Sequence, residues 1–74
     1  MPIYKFKKKV EEIAVERGIH IVGSQDNLLR KIEKALENKE ITSEEVKDML
    51  LDDKDFRLHF SSDDFEKIRK VINE

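Results

Sequence analysis

Between Val10 and Ile32 the chain reads VEEIAVERGIHIVGSQDNLLRKI, two apolar stripes at helical spacing joined by a short stretch that glycine punctuates twice. Gly18 can adopt the left-handed conformation that closes a helix, and Gly23 permits a turn before the next one. The intervening Ile19-His20-Ile21-Val22 is β-branched and too short for a helix. It is expected to form an extended loop whose two isoleucines point the same way. Two apolar helical faces set around so short a connection are the signature of a helix–loop–helix.

The remaining elements follow from periodicity and caps. Helix one is expected from about Ile3 to Arg17, with Tyr4, Phe6, Val10, Ile13 and Ala14 inward and Arg17 at the carbonyl end of the helix dipole. Helix two should start at Ser24 as its cap, carry Asp26 in the first turn, bury Leu28, Leu29, Ile32, Ala35 and Leu36, and end near Asn38. Helix three, about Ser43 to Leu51, is announced by a capping box of Thr42 and Glu45, with Ile41 and Val46 at the staple positions. Asp52-Asp53-Lys54-Asp55 interrupts the pattern, and Phe56-Arg57-Leu58-His59-Phe60 alternates with the period of an extended segment. Ser61 then caps a last helix from Asp63 to about Asn73, with Phe60 and Phe65 at staple spacing. The sequence thus predicts a single all-α domain over residues 1–74, a bundle of about four short helices with a short extended segment at 56–60. Ile13, Ile19, Ile21, Leu28, Ile32, Leu36, Val46, Leu50, Phe60, Phe65 and Ile68 are its expected core.

Composition narrows the function classes. A chain that is 38% hydrophobic and 43% charged can fold, but its outer faces must be densely ionic. It contains no cysteine, and hence no disulfide or thiol chemistry. No apolar run approaches the roughly 20 residues of a membrane span, and the basic start Lys5 to Lys9 leads into Glu11 and Glu12 where a signal peptide would be apolar, so an intracellular, cytoplasmic protein is expected. The net charge of −2 conceals a division. Residues 1–39 hold nine Lys/Arg against six Asp/Glu, a surplus of +3, and residues 40–74 hold six against eleven, a deficit of −5. Such asymmetry fits either nucleic acid on the basic side or attraction between the halves of the fold.

The spacing of Val10, Ile13, Gly18, Ile19, Gly23, Leu28, Lys31 and Ile32 resembles the SAP-like helix, extended loop, helix modules, to which LEM and Rho N-terminal domains are related. The resemblance spans residues 10–36, about a third of the chain. It implies DNA binding through the amino end of helix two, the loop before it and basic residues near the start of helix one. Free amides at a helix start attract phosphate, and nearby cations displace counterions. The residues that fit this implied role are Lys5, Lys8, Lys9, Gln25, Asn27, Arg30, Lys31 and Lys34, with Lys7 beside them. One departure matters. Where the family commonly has lysine two residues after the second glycine, this chain has Gln25 followed by Asp26, a carboxylate that opposes phosphate. Gln25 and Asn27 can still hydrogen-bond phosphate or a base edge, while Ser24, Asp26 and Asn27 equally fit a plain helix start. Downstream, Ile41 to Val46 together with Glu16 to Ile19 resembles peripheral subunit-binding domains, which implies a protein partner and assigns no site residue.

Other chemistry finds little footing in the sequence. His20 and His59 lack a second ligand at metal spacing, and a calcium loop starting at Asp53 would need glycine where Leu58 stands. No nucleophile neighbours a plausible base and no glycine-rich phosphate cradle is present. Neither a metal, a cofactor nor an enzymatic activity is expected. Lys7 and Lys8 precede Glu11 and Glu12 by four residues, so part of the basic face is expected to form local ion pairs. The expectation is a non-enzymatic accessory domain that binds duplex DNA through phosphates. The alternative is a protein-interaction module whose acidic half, around Asp48 to Asp55 and Asp63 to Glu66, binds a basic partner or mimics nucleic acid.

Overall fold

Glycine at position 18 does what its place in the sequence requires. In the computed structural model, which describes residues 4–73 and side chains from Lys5 onward, Gly18 has φ of 73° and closes the first helix. The Ile19 amide donates to the Ala14 carbonyl at 2.8 Å and the Gly18 amide to that of Val15 at 3.1 Å, the paired bonds of a Schellman cap. This first helix, α1, spans Tyr4–Glu16. The expected start at Ile3 and the inward placement of the Tyr4 side chain lie outside the described residues. Residues 19–22 form an irregular link with extended backbone at Val22, Ile19 buried and Ile21 only partly so.

The second helix, α2, spans Gly23–Glu37 and begins two residues earlier than a cap at Ser24 would allow. Val22 is its N-cap, and the cap is only half built, because valine offers no acceptor to the helix amides. Instead Gln25 reaches back, its Oε1 accepting from the Val22 amide at 3.0 Å. Completing the box with Val22→Ser should therefore stabilise the fold by about 0.5–1 kcal/mol, read as a raised urea midpoint. The buried stripe of α2 is Gln25, Leu29, Ile32 and Leu36, so Leu28, expected in the core, sits at its half-buried edge. A second Schellman cap ends α2, this time with Lys39 in the left-handed region at φ of 59°.

The third helix, α3, spans Ser43–Leu51 and opens on the expected capping box, with the Thr42 amide donating to Glu45 at 2.9 Å. The sequence expectation fails next: residues 56–59 are helical, and only Phe60 has extended backbone. They belong to a fourth helix, α4, spanning Lys54–His59, and its C-cap Phe60, and a fifth helix, α5, covers Ser62–Asn73. The fold is all-α, with five helices and no strand among the described residues. An unpaired extended segment would leave its backbone polar groups without partners. The helical alternative gives Asp53 the cap, accepting from the Phe56 amide at 3.1 Å. It also places Phe56 and Phe60 four apart on one face, their rings 5.1 Å apart, at the cost of leaving Leu58 outside.

The core brings all five helices together. Phe6, Val10, Leu29, Ile32, Val46, Leu50, Phe56 and Ile68 are essentially inaccessible to solvent. Helix α1 packs chiefly on α5 and then on α2, while α3 joins α2, α4 and α5. At the start of α5, Ser61 and Asp64 form a reciprocal box: the Asp64 amide donates to Ser61 Oγ at 3.2 Å and the Ser61 amide to Asp64 Oδ2 at 2.9 Å. Phe60 and Phe65 pack across it with ring centres 5.8 Å apart.

Candidate functional site

Gln25 is the residue whose placement decides what the amino end of α2 can do. It is 3% exposed, and both of its amide hydrogens are taken. Beyond the bond its oxygen accepts from Val22, its Nε2 donates to Asp53 Oδ2 at 2.9 Å and to Asp55 Oδ2 at 3.0 Å. It welds the start of α2 to the start of α4. The sequence expectation that Gln25 contacts phosphate is therefore corrected: neither amide hydrogen is left to donate to an anion, and two carboxylates stand where the anion was to sit.

Asp26 occupies a second part of that site. It binds Lys7 of α1 at 2.9 Å and Arg30 one turn on at 2.7 Å. The hydrogen bonds from Arg30 and then Lys7 hold its carboxyl below the usual aspartate value. Lys7 and Arg30 are held correspondingly above theirs, chiefly through their bonds to Asp26. Arg30, expected to reach nucleic acid, is thus tied to an internal carboxylate.

The other cations divide between two sides. Lys7 flanks the buried stripe of α1 on the side facing α2. At 100° per residue, Lys5 and Lys9 fall on the opposite flank, where with Lys8 and Glu12 they line a shallow depression against Val71 of α5. Lys9 pairs with Glu12 at 3.2 Å, so Glu12 takes Lys9 and not the expected Lys8, while Lys7 meets Glu11 at 3.7 Å as expected. Asn27, Lys31 and Lys34 lie on the outer face of α2. The fold therefore brings Lys5, Lys8 and Lys9 together, and Asn27, Lys31 and Lys34 together. It does not gather the two sets around the α2 start.

Two features of this end were not legible in the sequence. Asp64, with none of its surface exposed, receives Arg17 Nη2 at 2.7 Å and Nε at 3.0 Å from 47 residues away. Burial pushes its carboxyl up, but the Arg17 hydrogen bonds and the Ser61 amide outweigh that, and it ends below the ordinary aspartate value. The spacing Ser61-x-x-Asp64 was a visible cap signal, whereas the tie to Arg17 had none. Likewise nothing marked Gln25 as a partner for Asp53 and Asp55.

Elsewhere, a groove of about 280 Å³ runs between α3 and α5, floored by Val46, Phe65 and Ile68. Glu44, Lys47, Glu66 and Arg69 alternate in charge along its rim, and the Lys47 ammonium lies 5.7 Å from the centre of the Phe65 ring. No group of three or more His, Asp or Glu among the described residues could hold a metal ion, and no described helix is long and apolar enough to cross a membrane. No family model, no curated protein and no solved structure matches this chain, so what speaks for its function is the surface itself.

Proposed function

We propose that this chain is a non-enzymatic protein-interaction module whose acidic half docks a basic segment of another protein. The observation that carries this reading is the closing of the α2 amino end by Gln25 with Asp53 and Asp55, carboxylates bound to no cation among the described residues, which makes it attractive to cations and hostile to phosphate. Residues 48–64 carry six aspartates against Lys54 and Arg57, and of the six only Asp64 is taken up by a cation, Arg17, among the described residues. Asp48, Asp52 and Asp63 are exposed and have no cationic partner among the described residues. Unneutralised carboxylates on the surface of a small domain raise the local concentration of a basic partner and steer its approach.

A second reading, phosphate-led binding of duplex DNA, is favoured by one observation. Lys31 and Lys34 lie one turn apart on the outer face of α2 with no carboxylate bound to either among the described residues. Titrating a lysine-rich peptide and a short DNA duplex separately into the chain, first at low and then at physiological ionic strength, separates the two. The proposed function requires peptide binding that weakens with salt and no comparable binding of DNA. DNA binding that falls on Lys31→Glu with Lys34→Glu would transfer the assignment to nucleic acid. Binding of neither would overturn both.

A further inference from the structure

Three large aliphatic side chains stand out of this ionic surface: Val15, Val22 and Leu58, with 77%, 54% and 64% of their surface exposed. Two of them belong to one place. Val22 is hydrogen-bonded to Gln25, Gln25 to Asp55, and Leu58 lies one helical turn beyond Asp55 on the same side of α4. Val22 and Leu58 are thus both tied to the Gln25 junction, which carries the carboxylates of Asp53 and Asp55. Neither exposure is needed by the fold. Val22 is a poor N-cap where serine would serve better, and Leu58 projects from the outward face of a helix whose inward face is already filled by Phe56.

We infer that this end of the molecule, where α2 begins and α4 runs, is the docking surface for a short amphipathic segment that presents aliphatic side chains together with lysines or arginines. The inference rests on the protein-partner reading above and gives it a location and a ligand chemistry. Charge complementarity selects the occupant. Arg57 donates to the Leu51 carbonyl and is thereby turned back on its own chain, which leaves Lys54 as the remaining lysine or arginine of α4, next in sequence to Asp52, Asp53 and Asp55. An acidic or neutral segment would bury those carboxylates unpaired, which is costly, whereas lysine or arginine heads satisfy them while their stems lie along the aliphatics. A helical segment presenting such side chains takes Val22 and Leu58 as its apolar footholds.

The test uses the whole 74-residue chain, isotope-labelled for NMR, and two synthetic peptides of equal charge. One carries leucines along one face of a helix and lysines along the other; its comparator has serine in place of every leucine. The leucine peptide should bind more tightly than the comparator, with shifts concentrated at Val22, Gln25, Asp55 and Leu58. Val22→Ser combined with Leu58→Ser should weaken it about tenfold or more, while thermal melting shows the variant at least as stable as the parent. Val15→Ser, at a still more exposed aliphatic on the outward side of α1, should leave binding unchanged. If both peptides bind alike and the double variant binds like the parent, the acidic half attracts cations without this surface, and the inference falls while the proposed function stands. An equal loss on Val15→Ser would reveal indiscriminate apolar adhesion and also overturn it. If neither peptide binds at low salt, the protein-partner reading itself fails.

Discussion

Leu29→Ala should destabilise the domain by about 2–5 kcal/mol, a loss set by the apolar contacts forfeited and by how far the surrounding core can close over the gap. Leu29 is wholly enclosed within the core. A chain of this length has a total stability of about 4–11 kcal/mol at the usual range per residue, so the variant should melt far below the parent or populate unfolded chain at room temperature. Leu28→Ala, one position away, should cost much less, because Leu28 is only partly buried against the core. Circular dichroism melts of the two variants decide the register of α2. A larger loss at Leu28 than at Leu29 would mean that the helix is rotated from the orientation described.

Loss of Asp64 should rank next and should also alter the response to acid. Its carboxylate is enclosed, takes two hydrogen bonds from Arg17 and caps α5, so Asp64→Ala breaks a long-range ion pair and a helix cap together. Removing one partner of a fully buried pair costs about 3–5 kcal/mol; because Arg17 keeps 35% of its side chain in solvent, a smaller loss, about 2–3 kcal/mol, is expected. The sign of the pH effect follows from the direction of the shift. The folded-state value of Asp64 lies below the unfolded one, so its contribution is complete above the unfolded value near 3.8 and drains away as pH falls through the folded value. Urea unfolding of the parent should thus show stability declining below about pH 5, and Asp64→Asn should flatten that decline while lowering the plateau. Asp26 and Glu66 are also held below their ordinary values, by Arg30 and Lys7 and by Arg69 respectively. Both are more exposed, and their share of the acid limb is smaller. Equal acid slopes in the parent and the Asp64→Asn variant would remove Asp64 from this role.

What could be read from the letters was local. The Thr42 and Glu45 box, the Gly18 stop, the Ser61 cap and the Phe60 to Phe65 staple each involve residues within six positions of one another, and each is present. The Phe56 to Phe60 segment defeats sequence reading because five residues with apolar positions at 56, 58 and 60 fit two periods, and only the burial of Phe56 beside Phe60 chooses between them. The candidate site fared worse for a related reason. Lysine and glutamine look alike in a string whether they face solvent or a carboxylate, and Gln25 meets Asp53 and Asp55 from 28 and 30 residues away.

Composition, caps and the helical period determined that this chain is a small, all-α, densely charged domain, since those properties depend on neighbours along the backbone. Tertiary structure alone decided which charges remain available at the surface. Arg17 and Asp64, Lys7 and Asp26, and Gln25 with its two aspartates meet only when the helices pack. A carboxylate brought within hydrogen-bonding reach of a cation no longer offers the same field to a ligand, and that proximity is a property of three-dimensional distance, which sequence separation does not encode.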